Sequence, residues 1–294
     1  MRFVDDGYLV VPGLVSRDRV DEAIADAARF ARGGYPVMNP VEPVADGADD
    51  EIAIQQILAI HFPHWVSEVA LRMVEHPGIA DVLHEITGAH LAYWDGAVKC
   101  CQSMLFVKGP GMQGQAWHQD ERFIPTRDRS LVGAWIALDD ATIDNGCLWV
   151  LPGSHRNGYL WPTRAHDEPD EFDPADQAWG FDADDAVPVE VEAGSVVFFN
   201  GYLLHKSLKN RTGGFRRALV NHYLNGWSLL PWMAPDRVPS SDIPTLDNRT
   251  VVPLGDDPYA WKGLTAPPSS VFLRPRGNEA WPDITSDTRS EAGR

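Results

Sequence analysis

The sequence predicts a mainly β fold of the sandwich or jelly-roll type, with flanking helices in its N-terminal part. Three observations support this prediction. Apolar residues at helical spacing dominate the first ninety positions. From about residue 91 the chain consists of short strand-like segments, and turn residues rich in glycine separate them. Many short strands joined by such turns are typical of sandwiches and jelly rolls.

Three helices are predicted in the first ninety residues. The first is capped by Ser16, carries apolar residues at spacings of three and four, and ends at Gly33. The second covers about 64–75. The third has Pro77 in its first turn and ends at Gly88, because proline is favoured at the first helical position and glycine just beyond the last.

Short strands are predicted along the rest of the chain, and glycine-containing turns delimit them. The predicted strands are 100–107, 115–120, 131–138, 147–151, 187–191, 195–200, 203–209 and 215–224. The acidic and aromatic segment 156–186 is longer than an ordinary connection. We therefore expect it to be either a lid over the functional site or a flexible insertion.

No break in composition marks a second domain in this chain of 294 residues. We expect a single domain over 1–275. It would consist of a helical part at 1–90, a jelly-roll core at 91–230 and a C-terminal extension at 231–275. Residues 276–294 are predicted to form a flexible tail.

The charge of the chain excludes some classes of partner. Asp and Glu number 42 against 25 Lys and Arg, for a net charge of -17. Such a surface repels phosphate backbones and anionic lipid, so we expect neither a nucleic-acid nor a membrane partner. The three cysteines lack metal-type spacing and predict free thiols in a reducing compartment. The N-terminus does not resemble a secretory signal, and no apolar run approaches the roughly 18 residues of a spanning helix. We expect a soluble, cytoplasmic protein.

The segment Trp117-His118-Gln119-Asp120 is the sharpest chemical motif. Residues two apart on a strand face the same way, so the imidazole of His118 and the carboxylate of Asp120 would project together. The pair can fill two adjacent positions on a metal. One further histidine would complete a site of two histidines and one carboxylate, with three positions open for co-substrate and oxygen. By itself such a pair is more commonly a hydrogen-bonded pair on the surface.

A second group of polar residues comprises His205, Ser207 and Arg216. His205 and Ser207 share a strand face. If the next hairpin turns about residues 211 and 212, Ser207 lies directly opposite Arg216. A guanidinium is a planar two-pronged donor and a serine adds a third hydrogen bond, which suits the distal carboxylate of a 2-oxo diacid. The alternative is a surface hairpin with a solvated arginine.

The order of these residues also resembles a known family, the phytanoyl-CoA dioxygenase family of iron(II)- and 2-oxoglutarate-dependent oxygenases. The resemblance covers about residues 3–230 and is closest in motif to the branch of phytanoyl-CoA dioxygenase domain-containing proteins. The matching pieces are Asp6-Gly7-Tyr8, Trp117-His118-Gln119-Asp120, Gly133-Ala134-Trp135-Ile136-Ala137, Asp144-Asn145-Gly146-Cys147-Leu148-Trp149, Leu151-Pro152-Gly153-Ser154-His155, His205-Lys206-Ser207 and Arg216.

The resemblance implies a fold and a set of cofactors. The fold is a double-stranded β-helix, a cupin-like jelly roll, with the N-terminal helices packed on its outside. The cofactors are Fe(II), 2-oxoglutarate as co-substrate and O2, with ascorbate as a supporting reductant. The iron would be bound by His118, Asp120 and His205, which would act in catalysis through it.

Four further residues are implied to bind the co-substrate. Arg216 and Ser207 would bind the far carboxylate of 2-oxoglutarate, and Trp135 and Gln102 would lie beside the molecule. Halogenating relatives carry a small residue in place of the metal carboxylate. Because Asp120 is present here, oxidation is expected rather than halogenation.

We therefore expect hydroxylation of an unactivated C–H bond in a small metabolite or natural-product intermediate, with release of succinate and CO2. Desaturation, cyclisation or epimerisation with the same cofactors is one alternative. A metal dioxygenase that does not use 2-oxoglutarate is another, although Arg216 and Ser207 argue against it. A non-catalytic binding protein of the same fold is the third. The substrate after which the family is named is not implied for this chain, because one fold serves many substrates.

The remaining polar candidates receive structural interpretations. His155 is expected to satisfy backbone groups at a turn. His61 and His64 are three residues apart but lack an evident third ligand. His222 is expected to pack in the core or behind the metal site. Three charged residues that follow the metal-binding strand are expected to be solvated: Glu121, Arg122 and Arg127.

Overall fold

The computed structural model describes residues 2–45, 47–228, 251–262 and 268–277. Its helices are α1 (Arg2–Asp6), α2 (Arg17–Ala31), α3 (Asp50–Ile54), α4 (Glu68–Val74) and α5 (Pro77–Ile86). Its strands are β1 (Tyr8–Val11), β2 (Val37–Met38), β3 (Ile57–His61), β4 (Val98–Lys108), β5 (Gln115–His118), β6 (Val132–Ala137), β7 (Leu148–Val150), β8 (Thr163–Arg164), β9 (Gln177–Ala178), β10 (Val187–Val189), β11 (Val196–Asn200), β12 (His205–Ser207), β13 (Arg216–Asn225), β14 (Val252–Leu254) and β15 (Val271–Pro275).

Two mainly antiparallel sheets form the centre of the molecule. The larger has the order β1-β11-β6-β13-β4-β3-β15-β2, with β14 also paired to β4, and the smaller has the order β10-β7-β12-β5. Along the chain the strands cross repeatedly between the two sheets, since β4, β6, β11 and β13 belong to the larger and β5, β7, β10 and β12 to the smaller. This winding confirms the predicted jelly roll.

Strand β13 shows how the two sides of the larger sheet are used. Ala218 and Val220 pack in an apolar cluster that includes residues of the smaller sheet. Leu219 and Tyr223 pack instead in the main core, which includes residues of α2 and α5. The alternation of a strand therefore places helices on the outer face and leaves the inner face for the site.

The N-terminal part is less helical than predicted. β1 extends the larger sheet by pairing with β11, and β3 pairs with both β4 and β15. The predicted helix at 64–75 begins as a 3-10 turn at Pro63–Trp65 and becomes α-helical only after Ser67, whose side chain accepts a hydrogen bond from the Ala70 amide. The short apolar segments at β1 and β3 form strands because each finds a sheet edge to pair with.

Part of the segment 156–186, which was expected to be a lid or a flexible insertion, packs on the smaller sheet. Ala178 of β9, which pairs with β8, and Phe181 belong to a cluster with Trp117 and Leu204 on the smaller sheet. Trp117 and Leu204 each adjoin a predicted metal ligand in sequence, so their side chains point to the opposite face. This part of the segment therefore covers the outside of the smaller sheet.

The C-terminal extension contributes strands to the larger sheet through β14 and β15. Of the predicted tail at 276–294, only residues 276 and 277 lie within the described residues. Within the described ranges, no helix is both long enough and apolar enough to span a membrane.

Candidate metal centre and co-substrate pocket

The predicted metal ligands converge at the adjoining ends of β5 and β12. His118 pairs directly with His205 in the sheet register. Asp120 lies beyond the end of β5, at the start of a 3-10 turn, and not on the strand as predicted. Gln119 between them keeps an extended backbone, with φ -133° and ψ 127°, so the alternation of side chains continues and Asp120 faces the same way as His118.

The three side chains form a compact donor set. The Nε2 atoms of His118 and His205 lie 3.7 and 3.6 Å from the Asp120 Oδ1 atom. All three donor atoms lie within 4.8 Å of one another, and this is the metal-type cluster found among the described residues. Two imidazole nitrogens and one carboxylate oxygen at these separations fit a single ferrous ion with open coordination positions.

Backbone carbonyls fix which nitrogen of each ring faces the metal position. The Nδ1 atom of His118 donates to the Ala116 carbonyl at 2.8 Å, and the Nδ1 atom of His205 donates to the Leu203 carbonyl at 3.0 Å. Because a carbonyl only accepts, this network assigns the proton of each neutral ring to Nδ1 and leaves the Nε2 lone pair for a metal. Burial, together with the neighbouring His205, lowers the pKa of His118 to about 3 and so favours the neutral ring.

The carboxylate of Asp120 is supported from behind by His222. The Nε2 atom of His222 lies 2.9 Å from the Asp120 Oδ2 atom, which leaves Oδ1 toward the two ligand histidines. Burial alone would raise the pKa of Asp120, but the neighbouring histidines His205 and His222 outweigh it and hold the pKa below its usual value. The prediction that His222 lies behind the site is confirmed.

Arg216 lies at the start of β13, buried and without a carboxylate partner among the described residues. No described group accepts a hydrogen bond from its guanidinium, and its Nε atom is fully enclosed. The guanidinium carbon lies 5.6 Å from the ring centroid of Trp135. Burial lowers the pKa of Arg216 to about 10. A buried cation without a counter-ion is costly, so this arrangement fits an anionic ligand.

The predicted hairpin between Ser207 and Arg216 is wrong. Ser207 belongs to β12 of the smaller sheet, whereas Arg216 pairs with Lys108 in the larger sheet. The chain between them crosses from one sheet to the other, and Asn210 holds this crossing by donating to the carbonyls of Lys108 and Gly214 at 3.0 and 2.8 Å. Ser207 and Arg216 are thus contributed by the two sheets instead of by adjacent strands.

The other two predicted co-substrate residues lie on strands of the larger sheet. Trp135 lies on β6, buried, in the cluster between the sheets. Gln102 lies on β4 directly opposite His222, so it shares the face of the sheet that carries His222. Gln102 therefore adjoins the metal end of the pocket.

Two polar residues of this region were missed or misjudged from the sequence. Lys108 is buried and donates to the Ser207 hydroxyl. Glu121 was expected to be solvated, but it is only 1% exposed and accepts hydrogen bonds from the amide and hydroxyl of Thr126. Burial raises the pKa of Glu121 to about 7. Lys108 ends β4 and Glu121 lies in the 3-10 turn after β5, and in neither case does the local sequence show which distant segments bury the charge. Arg122 and Arg127 are exposed, as predicted.

The histidines outside the site are engaged with other groups. The Nε2 atom of His155 lies 3.1 Å from the Val4 carbonyl oxygen, as the turn interpretation predicts. The Nδ1 atom of His64 lies 2.5 Å from the Ser103 hydroxyl oxygen. Neither belongs to a metal-type cluster of the described residues.

Known proteins resemble the chain in sequence. A sequence model of the family described as phytanoyl-CoA dioxygenase (PhyH) matches residues 3–218. Among curated relatives, the phytanoyl-CoA dioxygenase of Arabidopsis thaliana is 36% identical over 143 residues, which cover 47% of this chain and 50% of the relative. The phytanoyl-CoA dioxygenase domain-containing protein 1 of Mus musculus is 35% identical over 146 residues, which cover 46% of this chain and 49% of the relative. The chain thus spans about half the length of these relatives.

Solved structures share the fold. The epimerase SnoN in complex with Fe3+, alpha ketoglutarate and nogalamycin RO has a TM-score of 0.59 and 21% identity, over 79% of this chain and 84% of that one. The alpha ketoglutarate dependent carbocyclase SnoK from nogalamycin biosynthesis has a TM-score of 0.54 and 22% identity, over 80% of this chain and 86% of that one. The family match covers most of the sheets and helices described above, including all three candidate metal ligands. The chain belongs to the phytanoyl-CoA dioxygenase family.

Proposed function

We propose that the chain is an Fe(II)- and 2-oxoglutarate-dependent oxygenase. The observation that supports this most strongly is the pairing of two features in one fold. His118, Asp120 and His205 present three metal donors within 4.8 Å. Arg216 supplies a buried guanidinium without a partner among the described groups. A metal triad alone fits many dioxygenases, whereas the additional free cation fits a co-substrate with a distal carboxylate.

Each residue has a defined task in this proposal. His118, Asp120 and His205 hold the ferrous ion, which with 2-oxoglutarate and O2 supplies the oxidation of a C–H bond and releases succinate and CO2. Arg216 binds the distal carboxylate of 2-oxoglutarate and so sets the distance of its oxo-acid end from the ligands. Trp135 packs beside that guanidinium and limits its movement.

Three further residues complete the pocket. Ser207 donates to the same carboxylate as Arg216, and Gln102 contacts the co-substrate near the metal end. His222 holds the carboxylate of Asp120 in place. The apolar side chains between the two sheets exclude water, which strengthens the charged contacts of the site.

We propose hydroxylation of a small metabolite or natural-product intermediate as the outcome. Asp120 occupies the position that halogenation requires to be vacant. Epimerisation or cyclisation is the second candidate, because SnoN is described as an epimerase and SnoK as a carbocyclase. We also propose a single catalytic domain over 1–275 and a cytoplasmic location. One relative, from Rattus norvegicus, is described as peroxisomal.

The proposal is tested by screening a library of small molecules for succinate release in the presence of Fe(II), 2-oxoglutarate, O2 and ascorbate. We expect substrate-dependent succinate formation by the natural chain and none by the Arg216→Ala variant. A product heavier by one oxygen indicates hydroxylation, and one lighter by two hydrogens indicates desaturation or cyclisation. Oxygen consumption without succinate would contradict the use of 2-oxoglutarate. Metal binding without any oxygen consumption would indicate a binding protein.

Replacing His222 with phenylalanine tests the support of the metal carboxylate. We expect the affinity for Mn2+, measured by titration calorimetry, to fall about 10–100-fold, the usual cost of losing a group that orients a ligand. The reason is that Asp120 Oδ2 loses its partner at 2.9 Å and the carboxylate can rotate. His90→Phe is the matched control, since His90 is exposed and bonded to the Asp128 carbonyl. Equal affinities of the two variants would contradict the role.

A further inference from the structure

Lys108 connects the two sheets at the carboxylate end of the pocket. It ends β4, lies directly opposite Arg216 and is 6% exposed. Its ammonium donates to the Ser207 hydroxyl at 2.8 Å and to the Leu208 carbonyl at 2.6 Å. A lysine of the larger sheet therefore holds a serine of the smaller sheet.

The hydrogen bonds of Ser207 determine what its hydroxyl can still do. Besides the bond from Lys108, the oxygen accepts from the Gln115 amide at 3.3 Å. A hydroxyl has two lone pairs and one proton, so both acceptor positions are filled. No described acceptor takes the proton. Ser207 is consequently left as a donor that faces the pocket, ready for an acceptor such as a carboxylate.

The charges around Ser207 favour an anion. Lys108 and Arg216 are two buried cations side by side, and neither is hydrogen-bonded to a carboxylate in the part of the chain described. Nearby Glu171 is engaged with Arg211 and with the Lys209 amide. Burial, and after it the Arg216 charge, lowers the pKa of Lys108 well below its usual value. A bound carboxylate would offset the repulsion of the two cations.

The turn Asn145-Gly146 closes over the lysine. Gly146 has φ +84°, and a Cβ atom there would lie 2.2 Å from the Leu208 carbonyl oxygen and 3.0 Å from the Lys108 nitrogen. Only glycine allows this approach of the backbone. The lysine is thus held in one position by a carbonyl, a hydroxyl and an overlying turn.

We propose that Lys108 is a positioning residue that fixes Ser207 as a hydrogen-bond donor to the distal carboxylate of 2-oxoglutarate. This inference rests on the proposed function and deepens it. Lys108 acts mainly through Ser207, so most of its contribution should depend on the serine hydroxyl and on a second carboxylate in the 2-oxo acid.

The test is a double-mutant cycle of Lys108→Met and Ser207→Ala, read as binding and not as turnover. Affinities for 2-oxoglutarate and for 2-oxovalerate, which lacks the distal carboxylate, are measured by calorimetry with the Mn2+-loaded protein. We expect each single variant to bind 2-oxoglutarate about tenfold more weakly, the order of one hydrogen bond to a charged group. The double variant is expected to be no weaker than the single ones, and 2-oxovalerate binding is expected to change less than twofold.

Two outcomes would overturn the inference. One is that the two single effects multiply in the double variant, which would mean that Lys108 acts on its own. The other is that Lys108→Met weakens both ligands equally, as a general disturbance of the pocket would. Lys99→Met is the matched control, because Lys99 is a buried lysine on the same strand whose ammonium donates to the Ser228 carbonyl.

Further readouts keep the test decisive. Thermal unfolding reports whether each variant folds. Lys108→Gln is a second variant, and its effect is expected to depend on Ser207 in the same way. If the natural chain itself shows no preference for 2-oxoglutarate over 2-oxovalerate, the proposed function fails. If the preference exists and Ser207→Ala reduces it while Lys108→Met does not, only the inference fails.

Discussion

Replacing Arg216 with methionine is expected to weaken 2-oxoglutarate binding strongly while it stabilises the ligand-free protein against unfolding. The guanidinium is buried and finds no acceptor among the described residues. Truncating a buried, hydrogen-bonded member of a charge pair costs roughly 2–5 kcal/mol of binding, which is about 30- to 5,000-fold in affinity. Without ligand, the same charge only adds a desolvation cost, so an apolar side chain should raise the free energy of unfolding by on the order of 1 kcal/mol or more.

Arg217→Met is the matched control for this experiment. Arg217 is the next residue on β13, points to the other face and makes a two-pronged pair with Asp139, at 2.8 Å from Nε and 2.6 Å from Nη2. Its loss should leave 2-oxoglutarate affinity nearly unchanged and lower the unfolding free energy by on the order of 3 kcal/mol. Calorimetric binding and chemical unfolding measure both quantities. If the two variants lose stability alike, Arg216 is a structural cation and not a ligand-binding one.

Replacing His205 with alanine is expected to remove both metal binding and substrate-dependent succinate formation. His205 supplies one of the three donor atoms and pairs directly with His118 across the sheet. Removing a group that only orients a ligand lowers metal affinity about 10–100-fold, and we expect the loss of a ligand itself to lower it further. Mn2+ titration and succinate release under saturating co-substrate measure the two effects.

The exposed His90 provides the control for this substitution as well. His90→Ala should retain the metal affinity and the turnover of the natural chain, because the ring lies at the surface. The account is wrong if His205→Ala still binds one metal ion with unchanged affinity, since the two remaining donors would then suffice.

The metal ligands could be predicted from the sequence because their geometry follows from local rules. His118 and Asp120 are two residues apart in extended backbone, and alternation alone directs both side chains to one face. The third ligand, His205, came from the family resemblance and from its position on a later strand. The jelly roll then brought it opposite His118.

The carboxylate end of the pocket could not be predicted in the same way. Its contacts depend on which sheet each strand joins, and a hairpin between Ser207 and Arg216 satisfies the local pattern as well as the observed crossing does. The pairing of β12 with β5 and β7, and of β13 with β4 and β6, is a long-range choice. Lys108 was missed for the same reason, since its partner lies 99 residues further along the chain.

Strands β1 and β3 are parts of the fold that could not be predicted from the local sequence. Their short apolar sequences carry little local preference, and the neighbouring helices dominated the pattern. Each became a strand through pairing with distant segments, β11 in one case and β4 in the other. The packing of part of the segment 156–186 on the smaller sheet could not be predicted, because nothing local shows which face of a sheet a long connection covers.

A crystal structure of the protein grown with Fe(II) and 2-oxoglutarate in the absence of oxygen tests the central claim most directly. Anomalous scattering from iron locates the metal without reference to the protein. We expect one iron bonded to the Nε2 atoms of His118 and His205 and to a carboxylate oxygen of Asp120, with the distal carboxylate of 2-oxoglutarate between Arg216 and Ser207. Iron bound elsewhere, or an ordered triad without iron at saturating concentration, would contradict the account.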